Sequence, residues 1–140
     1  MPKLFYNHQT RKYVVLTAPA DRFDLYRTWV DYCLANYPLV TARGLHVQFH
    51  KRDAFKRIGK EFDVRGGWFT SKWSDEGNIA ICTGKTRRIE EDEVMRIFFH
   101  QYAHILQYDQ NRYQNVPVEA LEEDADAFAE AAVRWWKYPA

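Results

Sequence analysis

The helix predicted over residues 90–108 carries two histidines on one face. If this pair binds a metal ion, the fold must bring a third ligand to it from another element. The helix opens with four acidic residues, 90–93, which suit the positive end of a helix dipole. His100 and His104 are four residues apart, so both imidazoles project from the same side, one turn apart. Two nitrogens in this arrangement reach one metal ion, and a third ligand is then expected from elsewhere, usually a following helix.

The spacing of the two histidines is weak support for a metal site when it is taken alone. Five histidines in 140 residues give roughly 0.17 such pairs by chance. Two partly buried, hydrogen-bonded histidines are the structural alternative. The position of the pair in the middle of a strong helix favours the metal site.

A second helix, predicted to begin near Pro117, supplies candidates for the third ligand. Its sequence, "VEALEEDADAFAEAAVRWW", consists of strong helix formers. Glu122 lies beside the apolar stripe, so its carboxylate is expected to lean toward the preceding helix, and Glu123 on the solvent side is the alternative. The predicted stripe consists of Leu121, Ala125, Phe128, Ala132 and Trp135.

The two segments together resemble the ImmA/IrrE-type gluzincin zinc metallopeptidases. "HQYAHILQY" is similar to the H-E-x-x-H helix of that family, and "EEDADAFAEA" is similar to its later E-x-x-A-(N/D)-x-F-A helix. Glu122, Ala125, Asp126, Phe128 and Ala129 match the second motif position by position. The resemblance covers roughly residues 45–136, and the two motifs carry nearly all of its weight.

The resemblance implies a Zn²⁺ site with His100, His104 and Glu122 as ligands. Asp126 is then expected behind a histidine ligand, where a carboxylate accepts the other imidazole N–H and fixes the tautomer. The implied substrate is a protein or peptide, and in this family it is characteristically a DNA-binding regulator. The substrate is expected to lie along an edge strand formed by Asn78, Ile79, Ala80 and Ile81.

Gln101 departs from the family pattern at the position of the general base. The glutamate normally found there takes a proton from the attacking water and returns it to the leaving nitrogen. Glutamine has nearly the same shape and still hydrogen-bonds a water molecule, but it cannot hold the proton. Loss of a general base typically lowers the rate by about 10²- to 10⁴-fold, so this chain is expected to be impaired.

Two explanations fit Gln101. The chain is either a natural pseudoenzyme, which binds a peptide without cutting it, or an engineered inactive variant of a peptidase. Retention of all three ligands favours deliberate substitution, because a degenerating site should also lose ligands. The sequence leaves both explanations open.

Other polar groups near the predicted centre are weaker candidates. Tyr108, Arg112 and Tyr113 follow the histidines and could stabilise an oxyanion, since such sites need donors where negative charge develops. An exposed loop is the simpler interpretation of any one of them.

Charge and composition bear on the remaining function classes. Twenty basic and nineteen acidic residues leave a formal charge of +1, which gives no overall argument for nucleic acid. The basic segment at residues 50–60, with Arg87 and Arg88, nevertheless keeps a nucleic-acid-binding domain as an alternative. The other alternative is a zinc-binding module that recognises a protein or peptide without catalysis. No apolar run reaches membrane length and no signal pattern begins the chain, so a cytoplasmic protein without a membrane partner is expected.

The order of elements predicts an α+β fold in one domain spanning residues 1–140. A small, mostly antiparallel sheet is expected to pack on an N-terminal helix and the two helices that would hold the metal. The resemblance describes this as a minimal zincin-like domain. Cys33 and Cys82 do not form a metal-type pair and are predicted to be buried free thiols. The strands are predicted at residues 3–7, 12–17, 45–51, 66–71 and 78–83.

Overall fold

A computed structural model describes residues 2–51, 66–70, 76–84, 91–110 and 116–139 of the chain. Within them, no helix is long and apolar enough to cross a membrane. The helices predicted over 90–108 and from residue 118 onward are both present, each within a residue or two of its predicted start. The elements are β1 (Pro2–Asn7), β2 (Lys12–Thr17), α1 (Phe23–Asn36), β3 (Gly44–Lys51), β4 (Gly66–Thr70), β5 (Glu76–Gly84), α2 (Glu91–Asp109) and α3 (Val118–Lys137).

The five described strands form one sheet in the order β1-β2-β3-β5-β4. The α+β class is confirmed, but the prediction of a mostly antiparallel sheet is wrong. β1–β2 and β4–β5 are antiparallel, whereas β2–β3 and β3–β5 are parallel. The β2–β3 pair is parallel because α1 lies between the two strands in the chain and crosses over, so that both run the same way.

β5 is an interior strand, so the prediction that Asn78, Ile79, Ala80 and Ile81 form the substrate edge is wrong. Ile79 is opposite Val47 of β3 on one side and opposite Trp68 of β4 on the other. The backbone groups of β5 are therefore used by its two neighbours and are not free to pair with a peptide. All four residues are buried, which is typical of a strand covered on both faces. Among the described strands, the edges are β1 and β4.

One hydrophobic core lies between the sheet and the helices. Alternate residues of the three central strands point into it, and α1 and α2 cover them with aromatic side chains. Tyr26 of α1 stacks on Phe49 of β3 with ring centroids 4.0 Å apart, and Trp29 packs near Phe98 of α2. The inward strand residues are Val14, Leu16, Leu45, Val47, Phe49, Ile79 and Ile81.

Gly77 of β5 sets how closely α2 approaches the sheet. A Cβ atom at this position would lie 2.7 Å from Cγ2 of Ile105 and 3.3 Å from Cδ1 of Leu45. The absence of a side chain at Gly77 therefore lets the turn of α2 that contains Ile105 rest on the strand. His104 is the neighbour of Ile105 in the chain, so this contact also fixes the depth of the histidine pair.

α2 and α3 pack side by side and run in opposite directions. Ion pairs join Lys137 to Asp92 and Glu130 to Arg96, so the end of α3 meets the start of α2. The apolar stripe of α3 was predicted correctly in part, since Leu121, Ala125 and Ala132 are buried and Phe128 is partly buried. The placement of Trp135 in the stripe is wrong, because this residue is 53% exposed. Trp136, the next residue, lies on the packed side instead, and its ring is edge-on to that of Tyr32 with centroids 5.3 Å apart.

Cys33 is a buried free cysteine of α1, as predicted. Burial raises the pKa of its thiol well above the ordinary value, which makes it unreactive. The side chain of Cys82 lies outside the described part of the structure.

Candidate metal centre

The apolar face of α2 holds the two histidines at a fixed height above the core. Phe98, Tyr102 and Ile105 are fully buried on this helix, and the Tyr102 hydroxyl donates to the backbone oxygen of Tyr37 at 2.6 Å. This anchoring leaves His100 with an 18% exposed side chain and His104 with a 4% exposed side chain. Both rings therefore lie at the boundary between the core and α3.

Three potential ligand atoms from α2 and α3 meet at one point. Nε2 of His104 is 3.1 Å from Nε2 of His100. The Glu122 carboxylate places Oε1 2.9 Å from Nε2 of His104 and Oε2 3.3 Å from Nε2 of His100. Within the described residues, these three side chains form the one group of this kind that could hold a metal ion. Glu122 rather than Glu123 is thus the acid that joins the histidines.

The spacing of the three atoms matches what a small metal ion requires. Ligands of a tetrahedral zinc ion at bond lengths of 2.0–2.1 Å lie about 3.3–3.4 Å from one another. The two Nε2 atoms are 3.1 Å apart, and they lie 2.9 and 3.3 Å from the two different oxygens of Glu122, so each separation is at most a few tenths of an ångström shorter. One ligand atom from each of the three side chains lies within 4.8 Å of the others, a spacing at which the group could hold a metal ion.

The second nitrogen of His100 is held by an aspartate. Nδ1 lies 2.9 Å from Oδ1 of Asp126, one turn beyond Glu122 on α3. A carboxylate only accepts hydrogen bonds, so Nδ1 carries a proton and donates it. In the neutral ring Nε2 then keeps its lone pair and points at the other ligands. The prediction that Asp126 stands behind a histidine matches this contact.

The second nitrogen of His104 is held by Gln107, which the sequence reading missed. Nδ1 of His104 lies 3.0 Å from Oε1 of Gln107, and both side chains are buried. An amide oxygen accepts, so Nδ1 of His104 is also a donor and its Nε2 also keeps a lone pair. A signal existed in the sequence: Gln107 lies three residues after His104 and seven after His100, hence on the same helix face.

If both imidazoles are neutral and protonated on Nδ1, the two Nε2 lone pairs and the Glu122 carboxylate are three acceptors that face one another. Two imidazole lone pairs and a carboxylate at these distances repel unless a cation or an extra proton lies among them. Burial lowers the pKa of His104 and the nearby His100 adds to this, while the hydrogen bond to Gln107 and the charge of Glu122 oppose it. The net lowering disfavours an extra proton on His104. A metal cation is the partner that suits all three atoms.

Gln101 lies on the turn of α2 between the two histidines. Its Oε1 atom is buried and has no hydrogen-bond partner in the described part of the chain. A buried acceptor without a partner costs free energy, on the order of 1–3 kcal/mol, unless a donor such as water reaches it. This oxygen can accept a hydrogen bond from a water molecule, but the amide cannot take up that water's proton.

The structure does not test the roles predicted for the remaining residues. Tyr108 lies near the end of α2 and is half exposed, and Arg112 and Tyr113 lie outside the described residues. Their oxyanion role stays a prediction. Most of the basic segment at residues 50–60 also lies outside the described residues, which here end at Lys51, so the nucleic-acid alternative stays a prediction as well.

No protein family, no curated protein and no solved structure was found to match this chain. The resemblance to gluzincin peptidases accordingly rests on the residues of two helices. What the structure adds is independent of that resemblance, because it brings His100, His104 and Glu122 to one point from two separate elements.

Proposed function

We propose that this chain is a zinc-binding domain of the gluzincin metallopeptidase type that acts on a protein or peptide. Gln101 in the place of the general base leaves it with slow hydrolysis or with binding alone. The observation that carries the proposal is the convergence of two imidazole nitrogens and a carboxylate within 3.3 Å, with both Nδ1 atoms engaged elsewhere.

Zinc suits this set of ligands. Two histidines and one acidic residue are the protein ligands of many catalytic zinc sites, which keep a fourth position open for water or substrate. The same ligand types also occur in non-haem iron centres, so the identity of the metal has to be measured. A bound zinc ion would supply Lewis acidity toward a peptide carbonyl and would lower the pKa of a water molecule.

The residues of the centre have different proposed roles in binding the ion and in hydrolysis. His100, His104 and Glu122 would hold the ion, and Asp126 keeps the His100 ring oriented. Gln101 positions a water molecule through its free Oε1 atom but does not remove its proton. The expected result is hydrolysis about 10²- to 10⁴-fold slower than with a glutamate at position 101.

Recognition without cleavage is the second candidate, and Gln101 is the residue that favours it. Two neutral imidazoles, one carboxylate and a divalent cation sum to a charge of +1. A glutamate at position 101 would bring that sum to zero, so the present centre should retain a carbonyl or carboxylate oxygen of a peptide more firmly. Such a domain would hold its partner at the metal and release it unchanged.

The test is the metal content of the purified, untagged chain after exposure to zinc and removal of the excess. Elemental analysis should report zinc, iron and manganese together. We expect about one zinc per chain, lost in His104→Ala and retained in His8→Ala, which removes an exposed histidine outside the centre. A folded chain that takes up none of these metals would overturn the proposal.

A further inference from the structure

Gln107 is a buried polar residue, and a buried amide is unusual enough to require an explanation. It is 3% exposed on the face of α2 that meets α3. Buried amides are stable only when their donors and acceptor find partners. The hydrogen bonds of Gln107 run to His104 on α2 and to Leu121 and Asp124 in the first turns of α3, so the residue links the candidate metal centre to the neighbouring helix.

The orientation of the Gln107 amide is fixed by its partners. Nε2 donates to the backbone oxygen of Leu121 at 2.9 Å and to Oδ2 of Asp124 at 3.2 Å. Both partners only accept, so the nitrogen must be on their side and the oxygen must face the other way. Oε1 then faces Nδ1 of His104 at 3.0 Å. A hydrogen-bond chain runs from Asp124 through Gln107 to His104.

We propose that Gln107 is a positioning residue that holds His104 in the Nδ1-protonated tautomer, so that the Nε2 lone pair is directed toward His100 and Glu122, where a metal ion would be held. The same amide ties α2 to Leu121, the residue before Glu122, and so sets the distance between His104 and the third ligand. The tautomer belongs to the chain with or without an ion, whereas the effect on metal affinity rests on the proposed function.

The two histidines are held in different ways, and the difference follows from burial. His100 donates to Asp126, whose side chain is 75% exposed, so that carboxylate stays hydrated. The partner of His104 is enclosed, where a second carboxylate close to Glu122 would have to be desolvated beside a like charge. A neutral amide avoids that cost, and unlike a carboxylate it can also donate to α3.

The experiment compares three substitutions by nitrogen NMR of the His104 ring and by zinc titration. Gln107→Met keeps the length of the side chain and removes both amide functions. Gln107→Glu keeps an acceptor oxygen for His104 but loses the donor to Leu121. Gln110→Leu, at an exposed glutamine just beyond α2, is the matched control.

In the metal-free chain near pH 8, we expect the Nδ1-protonated tautomer of His104 in the wild type, in Gln107→Glu and in Gln110→Leu. Gln107→Met should give a mixture of tautomers. Its zinc dissociation constant should rise about 10- to 100-fold, as for other residues that orient metal-binding histidines. Rescue of the tautomer by Gln107→Glu separates this role from general packing.

Each outcome bears on a different statement. A wild-type His104 protonated on Nε2 would overturn the inference, and this measurement needs no variant to fold. An unchanged tautomer and zinc affinity in folded Gln107→Met would overturn it too. A wild type that binds no zinc, but whose His104 tautomer depends on Gln107, would remove the proposed function and leave the positioning role in place.

Discussion

Under the proposed function, Gln101 at the general-base position is the residue that limits hydrolysis, since His100, His104 and Glu122 form a group that could hold the metal ion. Gln101→Glu restores a proton acceptor at the buried position where Oε1 lacks a partner. We expect cleavage of a denatured protein substrate by the zinc-loaded variant to exceed that of the wild type by about 10²- to 10⁴-fold. Mass spectrometry of the products measures it.

The control for this prediction is the double variant Gln101→Glu/His104→Ala. It should lose zinc and show no cleavage, which rules out a contaminating protease. A zinc-loaded Gln101→Glu variant that leaves a range of peptides intact would favour the recognition module over the disabled enzyme.

At the residue scale, the sequence predicted the residues whose roles depend on spacing. The one-turn spacing of His100 and His104 predicted that they share a helix face, whereas Glu122 and Asp126 were singled out with the help of the family resemblance. Gln107 could not be assigned in the same way. A glutamine on a helix is usually a surface residue, and only the packing of α3 over α2 reveals that this one is buried.

At the element scale, the end of α2 is held by a contact that works against helix electrostatics. Asp109 closes the helix, where a negative charge is disfavoured by the dipole. Its buried carboxylate nevertheless accepts hydrogen bonds from the backbone nitrogens of Val40, Thr41 and Ala42 at 2.6–2.8 Å. The Thr41 hydroxyl adds a fourth bond at 2.6 Å. The loop before β3 is thereby joined to the metal-site helix.

Asp109→Asn should destabilise the fold in a pH-dependent way. Burial alone would raise the pKa of Asp109, but the hydrogen bonds from Thr41, Val40 and Ala42 outweigh it and lower the pKa below the ordinary value. A carboxyl with a lowered folded pKa stabilises the protein above its unfolded pKa of about 3.9, and this contribution is lost as pH falls through the folded value. At pH 7 we expect the free energy of unfolding of the variant to be lower than that of the wild type by on the order of 2 kcal/mol.

Urea unfolding of the wild type and of Asp109→Asn, at pH 7 and at several values below 4, measures this effect. The difference in unfolding free energy should shrink as pH falls, because the wild-type carboxylate is then protonated. Asp21→Asn, at an exposed aspartate, should track the wild type throughout. A difference that stays constant with pH would show that charge on Asp109 is not the cause.

At the scale of the whole molecule, the sequence predicted the class of the fold but not the arrangement of its sheet. Alternation of apolar residues identified the strands, yet it does not say which strands are neighbours or whether they run parallel. Placing β5 at an edge failed for that reason, since β3 and β4 occupy both of its sides. The contact between the two helices was expected from the position of Glu122 beside the apolar stripe, and the structure adds that they run in opposite directions.

Zinc should stabilise the whole molecule, because the three residues proposed to bind it come from both α2 and α3. Exposed ion pairs such as Arg96–Glu130 contribute little to holding these helices together. A ligand that binds only the folded state raises the free energy of unfolding by about 2.7 kcal/mol when its concentration is 100 times its dissociation constant. For a chain of this size we expect the melting temperature to rise by roughly 10 °C over the chelator-treated protein. Circular dichroism during heating measures the melting temperature.

Gln101→Glu should keep the shift in melting temperature, since residue 101 is not a proposed ligand, and His104→Ala should lose it. An equal shift in His104→Ala would place the zinc elsewhere on the molecule.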